Sequence, residues 1–130
     1  PRGVTNTALE EFMRFDAPLH MFERTATADT EIGGVSIKEG QKIAALIGSA
    51  NRDETVFSTP ESMDLTRDPN PHIGFGAGIH FCIGAPLARL EMSVSLPALW
   101  EKYPNMQLAS EPVRRPTFVL RGYESVAISA

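Results

Sequence analysis

The residues best suited to chemistry lie in the run Phe75-Gly-Ala-Gly-Ile-His-Phe-Cys-Ile-Gly84, which holds the single cysteine of the chain. Gly76, Gly78 and Gly84 permit backbone conformations and close approaches denied to larger residues, so a flat ligand could lie against this loop with no Cβ in the way. One cysteine cannot form an internal disulfide, and neither zinc-type spacing nor a Cys-x-x-Cys pair is present. Cys82 is therefore buried, reactive or a metal ligand. Thiolate is the ligating form, and the free N–H groups and positive dipole end of a helix following Cys82 would favour that anion. Zinc and iron–sulfur sites lack partners here, because no histidine cluster accompanies the thiol. What remains is a group that brings its own equatorial ligands and takes one axial thiolate, a requirement that haem satisfies.

Elements on both sides must hold this loop. Downstream, Leu87, Leu90 and Val94 recur at helical spacing, giving a helix over about 85–102 with a kink at Pro97; that apolar stripe is most simply core. Upstream, Thr7 and Glu10 have capping-box spacing, and Leu9, Phe12 and Met13 fall on one stripe, so a helix over about 7–16 is expected, stopped by Pro18. Glu11 and Arg14 stand one turn apart on it, by default an exposed pair worth about 0.2–0.5 kcal/mol. From Phe22 to Ile47 the pattern is strand-like, with Arg24-Thr-Ala-Thr27, Val35-Ser-Ile37 and a run from Lys42 to Ile47 separated by Gly33-Gly34 and Gly40 turns. Residues 48–81 read as a long loop with at most a short turn of helix, and a loop of that length is usually functional. The tail, with Thr117-Phe-Val-Leu120 and Ser125-Val-Ala-Ile-Ser129, reads as a second hairpin.

Composition narrows the classes. The 130 residues are 42% hydrophobic and 22% charged, which suits one globular domain rather than a disordered or disulfide-stapled chain. With a net charge of −4 and basic residues scattered among acids, no electrostatic footprint for nucleic acid exists. Neither a membrane-spanning apolar window nor an apolar leader at Pro1–Asn6 is present. Ten prolines and ten glycines imply long irregular connections that need something to pack on.

Taken together, the motifs resemble the cytochrome P450 superfamily, whose haem signature Phe-Gly-x-Gly-x-His/Arg-x-Cys-x-Gly is matched by Phe75, Gly76, Gly78, His80, Cys82 and Gly84. Leu87-Ala-Arg89 and Glu91 continue the match in the manner of bacterial members, Glu11-x-x-Arg14 falls on the family's Glu-x-x-Arg helix, and Ala50-Asn-Arg-Asp53 with Phe57 resembles the entry to its meander. The resemblance implies an α+β, mainly helical fold: the carboxyl-terminal part of a single cytochrome P450 domain over 1–130, its amino-terminal and distal part missing. Known members are about three times longer, and the start at Pro1 suggests a cut piece. By the same resemblance Cys82 is the axial ligand of the iron of haem b, Arg24 and His80 bind its propionates, Phe75 packs near the sulfur, and His72 lies near the cofactor edge. Glu11 and Arg14 become a buried structural pair. Leu19, Met21, Phe22, Phe118 and Val119 line the substrate pocket, although Phe118 and Val119 are equally readable as core.

The implied activity is a cytoplasmic haem-thiolate monooxygenase that inserts oxygen from dioxygen into an apolar small molecule, with electrons from NAD(P)H through a ferredoxin and its reductase. The proton-delivery residues of the family lie on a helix upstream of this sequence, so the segment alone is expected to be inactive. Two rivals share the haem, a peroxide-driven hydroxylase and a non-catalytic haem-binding or sensor fragment; a third, a redox thiol domain, has no cofactor. One departure stands out: where the family commonly has Pro-Glu-Arg-Phe, this chain has Pro60-Glu-Ser-Met63, so Ser62 cannot bridge to the Glu11–Arg14 pair. The network then closes with another group, such as Arg52 or water, or has two members only.

Overall fold

The computed structural model describes residues 4–129; Pro1, Arg2, Gly3 and Ala130 lie outside that range. Helix α1 (Asn6–Phe15) is capped by Thr5, whose hydroxyl accepts the Ala8 N–H at 3.2 Å. The cap is thus Thr5 and not Thr7, because Thr7 Oγ1 is engaged elsewhere, donating to the Leu65 carbonyl at 2.9 Å. Ala8, Leu9 and Met13 are buried on α1, and so are Glu11 and Arg14.

After Pro18, strand β1 (Met21–Thr25) pairs antiparallel with β4 (Lys42–Leu46), and β2 (Thr30–Ile32) with β3 (Val35–Ile37) forms a hairpin between them. Gly33 and Gly34 both have positive φ, 58° and 79°, as a two-residue hairpin turn demands. The first strand starts at Met21, earlier than the expected Arg24, since its five residues pair with all five of β4. Ile47, expected as strand, instead opens the short helix α2 (Ile47–Ala50) and is buried.

Turns and bends fill most of the stretch from 51 to 84, with one 3-10 turn at Gly78–His80. Helix α3 (Ala85–Lys102) then runs through Pro97 to Lys102. Ala85 is buried in a core with Met13 and Phe75, and Ala88 and Met92 pack against it. Ala85 and Ala88 are the small α3 residues packed with Met13 of α1, and the stripe expected as core is not covered by the described residues. Leu87, Leu90 and Val94 are 58%, 59% and 63% exposed.

The tail also departs from the expected hairpin of 117–120 with 125–129. Instead β5 (Gln107–Leu108) pairs with β8 (Ile128–Ser129), and β6 (Val113–Arg114) with β7 (Tyr123–Ser125). Pro116 lacks a ladder donor, and the Thr117 hydroxyl donates to the Leu120 carbonyl, so this stretch closes as a turn. Leu120 bridges back to Leu19. The architecture is α+β, two long helices framing small two-stranded sheets.

Candidate cofactor site

The cysteine loop is pinned before it reaches the thiol. Ile73 N–H donates to Asn51 Oδ1 at 2.8 Å, and Gly74 lies so close to α1 that a Cβ there would meet the Met13 carbonyl oxygen at 2.7 Å. Gly76, with φ +76°, turns the chain over the His80 carbonyl, leaving 3.1 Å for a Cβ. Cys82 N–H then donates to the Phe75 carbonyl at 2.8 Å, and the Cys82 carbonyl accepts from Ala85 N–H at 3.1 Å. That N–H, at the start of α3, is thus occupied by the Cys82 carbonyl. The Cys82 thiol is free and exposed, not buried, and Ile79, Phe81 and Ile83 beside it are exposed as well.

Arg24 from β1 and His80 from the 3-10 turn line one cleft of about 260 Å³, with Phe22, Ile47, Ile73 and Gly76 among its walls. The Arg24 guanidinium lies 5.3 Å over the Phe22 ring and donates to the Glu23 carbonyl at 2.9 Å. No group of three His, Cys, Asp or Glu side chains able to hold a metal exists among the described residues. Among the described residues Cys82 offers an ion a single ligand. An accessible sulfur flanked by apolar side chains, beside a cleft lined by an arginine and a histidine, fits haem: a flat apolar macrocycle with one open axial position and two carboxylates.

Behind the loop, Glu11 and Arg14 are 0% and 1% exposed and joined at 2.8 Å (Nε to Oε2) and 2.7 Å (Nη2 to Oε1). Arg14 also donates to the carbonyls of Asn51, Pro60 and Ser62, so Ser62 joins the network through its backbone. The additional cation is not Arg52, which pairs with Glu61 and reaches the Phe15 carbonyl at 2.8 Å. It is Arg67, whose Nε lies 3.1 Å from Glu11 Oε2 and whose Nη1 donates to the Ser58 carbonyl at 2.9 Å. Asp64 N–H at 2.8 Å and Asn70 Nδ2 at 3.1 Å complete the carboxylate's partners. Burial pushes the Glu11 carboxyl up, but the Arg14 and Asp64 hydrogen bonds, with the charges of Arg14 and Arg67, hold it below its ordinary value. Arg67 was missed from sequence; its one local signal is the Asp64-Leu-Thr-Arg67 spacing, where the Asp64 carboxylate accepts from Thr66 N–H and hydroxyl and tightens the turn just before Arg67.

Glu10, read from sequence as a capping-box partner of Thr7, instead takes Arg89 Nε at 2.6 Å and Nη2 at 2.8 Å, and its Oε2 lies 2.8 Å from His72 Nε2. His72 is thereby buried against Phe75 and is not among the residues lining the cleft. The hydrogen bond from Arg89 holds the Glu10 carboxyl below its ordinary value despite partial burial, with help from His72.

The residues expected around substrate come together only in part. Leu19 pairs with Leu120, and His20 N–H donates to the Val119 carbonyl at 2.9 Å, which joins the loop after α1 to the tail turn. Met21 and Phe22 belong to β1, with Phe22 facing the Arg24 cleft. Phe118 and Val119 are exposed, so neither is core among the described residues.

The family model for cytochrome P450 matches residues 3–118. The chain belongs to the cytochrome P450 family. Putative cytochrome P450 YjiB of Bacillus subtilis (strain 168) is 53% identical over 103 residues, which are 79% of this chain and 26% of that protein. The biotin biosynthesis cytochrome P450 of the same strain is 41% identical over 127 residues, covering 97% of this chain and 32% of the relative. The crystal structure of P450BioI in complex with hexadec-9Z-enoic acid ligated acyl carrier protein superposes with a TM-score of 0.93 at 41% identity, over 95% of this chain and 32% of that one. This P450 chain thus spans about a third or less of the relatives it matches. No helix among the described residues is long and apolar enough to cross a membrane.

Proposed function

We propose that this chain is the carboxyl-terminal, iron-holding part of a longer haem-thiolate monooxygenase that inserts one atom of dioxygen into an apolar small molecule. The observation that carries the reading is the exposed Cys82 thiol on a loop whose backbone is fixed by Phe75, beside a cleft lined by Arg24 and His80. Cys82 would hold the iron, Arg24 and His80 would hold the propionates, and Gly76 and Gly84 would keep side chains out of the way of the ring. When bound, haem b would supply dioxygen activation, and the Cys82 thiolate would hold its iron and lend it electron density. Leu19, Met21, Phe118 and Val119 belong to the walls that select substrate by shape and apolar contact. Electrons come from NAD(P)H through a ferredoxin-type partner in the cytoplasm. Turnover requires the remainder of the enzyme, and the isolated segment is inactive.

The test is the reduced carbon-monoxide difference spectrum of the full-length protein with and without Cys82→Ser. A band near about 450 nm that the substitution abolishes is the expected result. An unchanged spectrum rules out Cys82 as the ligand. Turnover with NAD(P)H and redox proteins but not with peroxide alone separates the monooxygenase from a peroxide-driven hydroxylase.

A further inference from the structure

Two separate segments converge on Glu10 of α1, which no part of the proposed chemistry employs. Arg89 from α3 grips it through two nitrogens at 2.6 and 2.8 Å, and His72, ahead of the cysteine loop, meets the same carboxylate at 2.8 Å. A two-point guanidinium–carboxylate contact fixes both planes. His72 Nδ1 accepts the Gly74 N–H at 3.1 Å, so the ring faces Glu10 as a donor through Nε2.

Both partners of Glu10 bear on one ring. The Arg89 guanidinium lies 4.7 Å over Phe75, and the His72 ring centroid is 6.1 Å from that of Phe75. The Phe75 side chain is buried in the core with Met13 and Ala85, while its carbonyl holds the Cys82 N–H at 2.8 Å. A shift of Phe75 therefore moves the Cys82 backbone directly.

We propose that Glu10 is a positioning residue for the axial sulfur: through Arg89 and His72 it locks Phe75, and through the Phe75 carbonyl it sets how Cys82 presents its thiolate. A merely structural Glu10 would staple α1 to α3 and affect only stability. The inference rests on Cys82 being the iron ligand, which Cys82→Ser tests on its own.

The decisive experiment compares full-length holoenzyme carrying Glu10→Gln, Arg89→Lys or, as a control of exposed charge, Glu61→Gln. Hydrogen exchange at the Cys82 amide and the fraction of the reduced carbon-monoxide band near about 450 nm are the two readouts. Glu10→Gln is expected to speed Cys82 exchange about tenfold and to divert a large share of the band to a blue-shifted species. Arg89→Lys keeps the charge but loses the fork, and is expected to do the same. Glu61→Gln should leave both readouts at the wild-type level. Should Glu10→Gln hold no pigment, exchange is compared between the haem-free forms of both proteins. Cys82 exchange in Glu10→Gln no faster than in Glu61→Gln, or an unaltered band in pigmented Glu10→Gln, overturns the proposal even if the melting temperature falls. Wild type that lacks the band, or Cys82→Ser that keeps it, instead defeats the assignment of the ligand, and the exchange comparison still judges the lock.

Discussion

Arg67→Met puts the Glu11 network to its sharpest test. The Arg67 side chain is 6% exposed and its Nε sits 3.1 Å from Glu11 Oε2. Stranding a buried charge by deleting its partner costs about 3–5 kcal/mol. Glu11 is not stranded here, because two Arg14 bonds, Asp64 N–H and Asn70 remain. The expected loss is therefore about 2–3 kcal/mol, near the cost of one buried hydrogen bond to a charged group. Glu11→Gln leaves both Arg14 and Arg67 without a counter-charge and should cost more, about 3–5 kcal/mol. Since both substitutions break the same contact, the double variant should lose about 1–3 kcal/mol less than the sum of the singles. Arg52 provides the contrast: its partner Glu61 is 77% exposed, and Arg52→Met should be additive with Glu11→Gln to within about 0.5 kcal/mol. Urea midpoints of the full-length holoenzyme, compared at constant slope, give all these values. If Arg67→Met and Glu11→Gln prove additive, or if Arg52 couples to Glu11 more strongly than Arg67 does, Arg67 does not close the network.

Other outcomes follow from single distances. Gly74→Ala places a Cβ 2.7 Å from the Met13 carbonyl oxygen, so the cysteine loop and α1 must part, at a cost of about 1–3 kcal/mol seen as a lowered thermal midpoint. Arg24→Gln should raise the rate of haem transfer to an excess of an apo-acceptor by about 10–100-fold, the loss of one charge-assisted contact, and His80→Ala should add to it; unchanged transfer would remove both from the propionate site. The Glu10 carboxyl titrates below its ordinary value of 4.5 in the folded protein, so its pairing stabilises fully above that pH and is lost as pH falls through the lower folded value. The stability gap between wild type and Glu10→Gln should accordingly be flat above about pH 5.5 and shrink in acid, and a gap that widens in acid would contradict the sign.

Long elements were legible because their signals are local. The helical spacing of Leu87, Leu90 and Val94 marks α3, and the stripe with a Thr nearby marks α1 to within a residue. Which side of α3 meets α1 was not legible, since apolar residues surround that helix and periodicity ranks no face above another. Close approach decided it: Ala85 and Ala88 admit α1, whereas Leu87 and Leu90 do not. The tail strands are two or three residues long, too short to leave an alternating pattern. The cysteine loop was readable by its glycines, of which Gly76 and Gly78 have positive φ, but its outer supports were not. Glu10 meets a partner 79 residues away, and Arg67 one 56 residues away, distances at which sequence neighbours carry no information about contact.

The two adjacent glutamates explain why α1 governs the site. Successive residues on a helix diverge by about 100°, so Glu10 and Glu11 serve different neighbours from one turn. Glu11 faces the stretch that contains Asp64, Arg67 and Asn70, while Glu10 faces His72 and Arg89, which bracket the cysteine loop. Arg14, Glu11 and Asn51 are the largest fully buried side chains, so the centre of this chain is polar. A buried ionic hub contributes little net stability of its own and persists only where its groups are fully paired. Glu11 and Arg14 are paired in this way, whereas Arg67 Nη2, Asn51 Nδ2 and Asn70 Oδ1 are buried without a hydrogen-bond partner among the described residues. What the paired groups supply is geometry: they hold α1 in one pose, and α1 in one pose offers Glu10 to Arg89 and His72 in one register. Damage to Glu11 should therefore lower stability first and disturb the pigment only as the fold loosens, whereas damage to Glu10 should disturb the pigment at temperatures where the fold is intact. Heating each variant while following circular dichroism and the carbon-monoxide band together distinguishes the two orders of loss, and coincident loss in both variants would mean that α1 transmits no independent constraint to Cys82.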